Sequence, residues 1–315
     1  MKKVTVEAPA SSANLGPGFD VFALALASPN DMVTLRAERA AKPRVKIRQV
    51  YGPTVPLVAA KNSAGTVCLA MAKDRGVNAS ITMEITKGVP TGLGMGSSGA
   101  SAAAAAVSMN LLFEMEMSSD DLIYYAGKGE KAVSGTAHYD NVSASVLGGF
   151  VVVCASGERP IATRLDAPEK MSLCMVTPSV KLPERKTEYA RSLLPTSVGL
   201  ETLVSNIANA SLMVSGFARR DIGMIGRGMD GRFVEEARKT MIPGYDSVKE
   251  SALEAGASGV CISGAGPSVL AVVDRSKANP PGVLNAMVTR FRQSGMNANG
   301  FVTRVGEGAR EVASR

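Results

Sequence analysis

The residues best suited to chemistry run from Val89 to Ala100: Val89-Pro90-Thr91-Gly92-Leu93-Gly94-Met95-Gly96-Ser97-Ser98-Gly99-Ala100. Glycines at this density let the backbone turn sharply and bring unhindered N–H groups onto an anion. An alanine-rich helix is predicted from about Ala100 to Phe113, and its positive N-terminal end adds to that attraction. A polyphosphate is the natural guest. Ser97 and Ser98 add hydroxyls able to bond phosphate or to ligate Mg²⁺.

Three readings compete for this loop. A Walker P-loop needs a Lys after its glycines, and none follows. A dinucleotide fingerprint can be forced onto Gly94-Met95-Gly96-Ser97-Ser98-Gly99, which would make the chain an NAD-binding oxidoreductase. Against it, the preceding strand alternates apolar and polar residues, whereas a parallel strand buried on both faces is continuously apolar. Glu114 and Glu116 stand at about the right distance for the ribose but end a helix, not a second strand. A purely structural turn is the third reading; so many glycines and serines cost stability unless something approaches the backbone.

The elements that must hold this loop are short strands and helices in two sets. Val4 and Val6 open a strand ending at Pro9, and Val33, Leu35 and Val45–Ile47 suggest another pair. Ala79–Thr86 alternates without a fault, as a half-exposed strand does. The glycine loop Gly88–Gly99 and its helix follow, then a helix from Leu122 to about Val133 with Ser118-Ser119-Asp120 as its cap. A Gly/Thr/His/Asn loop leads to the strand Gly149–Val153. The second set has strands at Leu173–Val176, Gly259–Ile262, Val269–Val273 and Gly300–Val305. Its helices are predicted near Glu188–Leu194, Val198–Ser215, Val234–Thr240 and Val283–Arg292. This order predicts an α+β fold in each half, 1–160 and 161–315.

Composition narrows the chemistry. The chain has 315 residues, 45% hydrophobic and 20% charged, enough for a sizeable core. Its only histidine, His138, excludes a multi-histidine metal site and leaves one residue for any histidine-based triad. Without Trp, and with 4% aromatics, a base-stacking nucleic-acid surface is disfavoured; the net charge of +7 is surface bias. Cys68, Cys154, Cys174 and Cys261 form no C-x-x-C pair and fit a reducing compartment. Glu7, Pro9, Asn14, Pro17 and Asp20 break up any signal-peptide pattern, and no run reaches the roughly 20 apolar residues of a membrane span. A cytoplasmic protein with no membrane and no nucleic-acid partner is expected.

Every position of the glycine segment fits the signature loop of the GHMP kinases, the galactokinase, homoserine, mevalonate and phosphomevalonate kinases. Two further segments resemble family motifs in the expected order: Ala8-Pro9-Ala10-Ser11-Ser12-Ala13-Asn14-Leu15-Gly16-Pro17-Gly18-Phe19-Asp20 and Ile262-Ser263-Gly264-Ala265-Gly266-Pro267-Ser268. Between them, Ser134–Val142 and Leu147-Gly148-Gly149 are similar to the homoserine kinase branch. So is the first motif, which has no Lys or Arg in Ala10–Asn14. Thr187-Glu188-Tyr189-Ala190-Arg191 with Leu194-Pro195, and Arg238 before Ile242-Pro243, agree.

The resemblance implies a two-lobed GHMP kinase fold, with a ribosomal-protein-like N-terminal lobe, a ferredoxin-like C-terminal lobe and the active site between them. It implies phosphorylation of the terminal hydroxyl of L-homoserine by ATP, a step toward threonine, and admits a homodimer. Another small hydroxylated acid, shikimate or mevalonate, is the alternative acceptor. ATP would bind at Pro90–Ala100 (Pro90, Thr91, Gly92, Leu93, Gly94, Met95, Gly96, Ser97, Ser98, Gly99, Ala100), with Asn62 facing the adenine. Ser98 and Glu130 would ligate Mg²⁺. Asn14, Asp20, His138, Thr187, Arg191, Arg238 and Gly264 would bind the acceptor, and Asn141 would orient its hydroxyl, with Asp140 as a rival base.

Elementary chemistry agrees. Arginine forks suit the carboxylate of a zwitterionic acceptor, and Asp20 or the Asn14 amide oxygen suits its ammonium. An arginine taken alone reads as a solvated surface residue, and Thr187 equally as a helix cap. Tyr139 departs from the family's usual Pro or Ala, and the loop is richer in glycine than usual.

Overall fold

The computed structural model describes residues 2–312. The first sheet is built on two long antiparallel strands, β1 (Lys2–Asn14) and β2 (Gly18–Arg39), paired with Val4 opposite Leu35 and Val6 opposite Val33. β3 (Arg44–Tyr51), β4 (Ala79–Thr86), β5 (Phe150–Cys154), β6 (Ile161–Leu165) and β11 (Arg310–Glu311) complete it. The order is β11-β1-β2-β4-β3, with β5 bonded to the far part of β2 and β6 to β5. β4 alternates buried and half-buried residues, as its sequence predicts, and pairs antiparallel with β2. Its other neighbour, β3, runs parallel to it at the sheet's edge, but every other pair in the sheet is antiparallel, which sets aside the dinucleotide reading, since that needs a doubly wound parallel sheet.

One face of this sheet is covered by α1 (Ser63–Asp74), α2 (Ser97–Leu112), α3 (Ser119–Ser134) and α4 (Tyr139–Leu147). α2 is the buried centre of that layer, and Ala102–Ala106 are fully enclosed among Val6, Leu35, Met83, Ile123 and Val142. Five consecutive alanines suit a helix enclosed on all sides, because small side chains allow close approach. Its last turn carries the larger Met109 and Leu112 into the same core.

The second sheet is antiparallel in the order β10-β7-β9-β8: β7 (Met171–Pro178), β8 (Gly259–Ile262), β9 (Val269–Asp274) and β10 (Ala298–Thr303). Between β7 and β8 lie α5 (Lys186–Ser192), α6 (Leu200–Arg219), α7 (Ile222–Gly228), α8 (Val234–Arg238) and α9 (Tyr245–Glu254); α10 (Pro280–Gln293) precedes β10. One sheet face packs on α9 and α10 through Tyr245, Val248, Val283, Met287 and Phe291. The other joins Leu24, Leu26 and Phe150 of the first sheet and Phe217 of α6 in a shared core, where the Phe150 and Phe217 rings stack at 4.0 Å.

The structure departs from the sequence expectations in four places. The boundary expected at 160 falls inside the β5–β6 hairpin, and β11 returns from the C-terminal end to β1, so hydrogen bonding carries 161–165 and 310–311 into the first sheet. The predicted loop before Gly149 contains α4, whose Val142 and Val146 are four apart and face the core. α1, α7 and α9 lie where no helix was expected. α2 begins at Ser97, not Ala100, so Ser97 and Ser98 form its first turn. Among the described residues no helix is long and apolar enough to cross a membrane.

Candidate active site

A cleft of about 300 Å³ opens between the two sheets' helices, lined at one end by Thr91, Gly92 and the Gly94–Ser98 stretch and at the other by Asp20, Arg191 and Arg238. The helix α2 starts from Gly96, which has a left-handed backbone (φ +63) and gives no side-chain cap. Its first N–H groups are left for an anion. A Cβ at Gly96 would lie 2.2 Å from Ser11 Oγ and 2.7 Å from Asn141 Oδ1, so this position admits only glycine.

Hydrogen bonds lock the loop to both other motifs. Ser263 Oγ lies 2.7 Å from Gly94 O and 2.8 Å from Ser12 Oγ, and Ser11 N donates to Met95 O at 3.1 Å. Behind the loop, Lys87 is sealed from solvent. Its ammonium donates to the Asp31 carboxylate, to Ser97 O at 2.8 Å and to Ser101 Oγ at 2.9 Å. Asp31 also accepts from the N–H groups of Gly88 and Val89 at 3.0 and 2.9 Å. Burial pulls the Lys87 pKa below the ordinary lysine value against the opposing charge of Asp31. Removing either partner would leave the other charged and buried, so this pair fixes the loop where it stands.

The acceptor end gathers residues from both sheets. Asn14 and Asp20 hold left-handed conformations (φ 71 and 56), which their short polar side chains tolerate. Asn14 Nδ2 donates to Gly264 O at 2.9 Å and its Oδ1 accepts from Asp20 N at 3.2 Å. Arg191, from α5, donates Nη2 to both Asp20 oxygens at 3.1 and 2.8 Å. Arg238, from α8, is buried and donates Nη1 to Gly264 O at 3.0 Å. Burial lowers its pKa to about 10, with Asp20 opposing, so it stays charged at neutral pH. Thr187 faces the same space.

In the middle, Asp140 and Asn141 occupy the first turn of α4. Asp140 is buried; desolvation and the Asp20 charge push its carboxyl up to about 6, and Oδ1 accepts from Asn141 N at 2.8 Å. Asn141 Oδ1 accepts from Ser11 Oγ at 2.9 Å. His138 Nδ1 meets Glu130 Oε2 at 3.2 Å; burial lowers the imidazole pKa, but the Glu130 bond and charge raise it more, leaving it above the ordinary value. Glu130 is 3% exposed, and its Oε1 is buried with no hydrogen-bond partner. A buried carboxylate oxygen without a donor, in a cleft also lined by the Ser98 hydroxyl, is the hard-oxygen set a Mg²⁺ ion accepts while keeping waters.

Not every residue read from the sequence faces the cleft. Pro90 and Leu93 line a separate shallow hollow beside Phe301, and Gly99 and Ala100 sit within α2. Asn62 lines the cleft while its side chain also holds the local fold: Oδ1 caps α1 at Ala64 N and Gly65 N, and one Nδ2 hydrogen goes to Pro56 O at 2.9 Å. Lys87, Asp31, Ser101, Ser11 and Lys186 were not anticipated. For Lys87 the available signal was a lone lysine between a faultless alternating strand and the glycine loop.

A mostly antiparallel lobe carrying a glycine loop onto a helix N-terminus, closed by a second, antiparallel lobe, defines a class of small-molecule kinases. The signature of the GHMP kinases N terminal domain matches residues 62–149, and that of the GHMP kinases C terminal matches 213–291. This chain belongs to the GHMP kinase family. It is 38% identical over 312 residues to a homoserine kinase of Thermoplasma volcanium, covering 99% of this chain and 97% of that one. It is 39% identical to one of Halorubrum lacusprofundi, covering 97% and 98%. The crystal structure of a homoserine kinase from Cytophaga hutchinsonii superposes with a TM-score of 0.89 at 33% identity, over 99% and 98% of the two chains.

Proposed function

We propose that this chain transfers the γ-phosphoryl group of ATP to the terminal hydroxyl of L-homoserine, giving O-phospho-L-homoserine and ADP, on the way to threonine. The observation that carries it is one cleft with a helix N-terminus for phosphates at one end and Asp20, Arg191 and Arg238 for a zwitterion at the other. The full-length similarity to homoserine kinases supports the same acceptor. The four unpaired cysteines fit a reducing cytoplasm.

In the reaction the homoserine oxygen forms a bond to the γ-phosphorus as the bond from that phosphorus to the β,γ-bridging oxygen breaks, and ADP leaves with the electron pair. Arg191 and Arg238 hold the acceptor's carboxylate and Asp20 its ammonium. His138 clamps the same substrate, and Asn141 orients the hydroxyl. The hydroxyl proton passes to an oxygen of the transferring phosphoryl group, since a loose transition state rests on positioning and charge more than on a strong base. Ser98 and Glu130 would hold Mg²⁺, which supplies charge neutralisation on the β- and γ-phosphates when bound. One observation favours a second reading of the proton's path: Asp140, with its pKa near 6, is suitably poised to accept it.

A coupled ADP-release assay over homoserine, shikimate, mevalonate and threonine tests the proposal. Turnover with homoserine is expected. Turnover with shikimate or mevalonate alone would overturn the acceptor, and no turnover with any hydroxylated acid would overturn the activity.

A further inference from the structure

Phosphoryl transfer spreads negative charge over the moving group, and a desolvated cation aimed at it adds to the rate. The first motif of this chain, Ala10–Asn14, carries no cation. Five cationic side chains line the cleft: Lys61, Lys87, Lys186, Arg191 and Arg238. Lys87 is sealed against Asp31, Arg191 is paired with Asp20, and Arg238 is bonded to the Gly264 and Ala190 carbonyls. Lys61 is exposed.

Lys186 differs from all four. It is half-buried at the start of α5, its ammonium donates to Gly266 O, and among the described residues no carboxylate stands within ion-pair distance. Gly266 O in turn lies against the glycine loop, since a Cβ at Gly94 would meet it at 2.8 Å. The ammonium therefore hangs at the seam between the phosphate loop and the Gly264–Pro267 turn, held only by a carbonyl that a phosphoryl oxygen readily outcompetes. We propose that Lys186 is the cation that binds the transferring phosphoryl group, serving as an arginine finger supplied within the chain. This rests on the kinase reading above.

The surroundings agree. Burial and the nearby Arg238 charge lower the Lys186 pKa to about 8, so it is mostly charged at neutral pH yet stripped of much of its water. The charged and titratable groups facing the same cleft are Arg191 on its own helix, Arg238 on α8, Asp20 on β2, Glu130 on α3, His138 and Asp140 at the start of α4, Lys61 before α1 and Lys87 after β4.

The test compares wild type with Lys186→Met and Lys186→Arg, by ADP release with homoserine and by calorimetric binding of ADP and of a non-hydrolysable ATP analogue, each with Mg²⁺. For Lys186→Met, kcat is expected to fall about 100-fold with the homoserine KM within about 3-fold. Analogue binding should weaken about 10-fold while ADP binding holds, because only the analogue carries the γ-phosphate. Lys186→Arg should restore at least about a tenth of kcat and push the basic limb of kcat/KM, expected near pH 8 in wild type, well upward. Wild-type kcat in Lys186→Met, or equal weakening of analogue and ADP, would overturn the assignment and reduce Lys186 to a strap on Gly266. Should Lys186→Met fail to fold, an unmoved basic limb in Lys186→Arg would overturn it equally. If wild type ignores homoserine, the substrate reading fails, but the analogue-to-ADP comparison still judges Lys186.

Discussion

Ser11 donates its hydroxyl to the carboxamide oxygen of Asn141 at 2.9 Å, and the pair closes over the α-carbon of Gly96. Residues 130 positions apart thus meet at the last turn before α2. The first motif, the glycine loop and the start of α4 are fixed relative to one another at the point where phosphoryl group and hydroxyl must meet. Orientation of this kind accounts for much of the rate in a reaction with little covalent work for the protein.

Gly96→Ala should therefore do more harm than the same change at Gly92. Both glycines have left-handed backbones (φ +63 and +74), which costs an alanine about 1 kcal/mol or more. Only at Gly96 does the new methyl collide, with Ser11 and Asn141; at Gly92 nothing lies within 4 Å. We expect kcat/KM to drop about 100-fold for Gly96→Ala and several-fold at most for Gly92→Ala. Steady-state kinetics on the two variants decides it, and equal losses would count against the Ser11–Asn141 clamp.

Asp140 makes stability depend on pH. Its folded pKa is raised from 3.8 to about 6, so the folded chain keeps a proton that the unfolded chain has already released. The proton-linked stabilisation is full below about pH 4 and is lost as pH rises through 6, because ionising the buried carboxyl is costly. Asp140→Asn should raise stability by on the order of 3 kcal/mol at pH 8 relative to its effect at pH 4. Denaturant melts at the two pH values measure the difference. The same variant tests the base: kcat retained within about 10-fold fits Asn141 acting by orientation, and loss of most of kcat with homoserine binding intact fits Asp140 as the base.

Glu130 and His138 should separate by what they bind. Glu130→Gln weakens the oxygen set offered to Mg²⁺, so the Mg²⁺ concentration for half-maximal rate is expected to rise about 10-fold. His138→Ala should raise the homoserine KM more than it lowers kcat. A large fall in kcat at saturating homoserine and Mg²⁺ would instead make His138 a participant in the chemistry.

Asn62→Ala should cost stability, not nucleotide specificity. Its side chain caps α1 and ties down Pro56, and loss of such a cap costs about 1–2 kcal/mol. Thermal melts should show the loss, while the ATP KM stays within about 3-fold. Normal stability with a large rise in that KM would instead assign Asn62 to the adenine.

The glycine loop was legible because its backbone demands glycine: Gly94 and Gly96 are left-handed and crowded, so the fold writes itself into the sequence there. Strand β4 was legible because half-exposure enforces alternation. Helix α4 was hidden, since Ser143 and Ser145 are buried beside Val142 and Val146 and mask the apolar stripe; Ser145 is satisfied by Pro9 O. The Lys87–Asp31 pair could not be read at all. Asp31 lies on β2 and Lys87 just past the end of β4, 56 positions apart, and only the pairing of those two strands joins them.

The most direct test is phosphorus NMR of the products from ATP, Mg²⁺ and L-homoserine. The account predicts one new phosphate monoester signal, coupled to the protons of homoserine's terminal carbon, growing in step with ADP. ADP formed with inorganic phosphate and no ester, or no ADP at all, would contradict it.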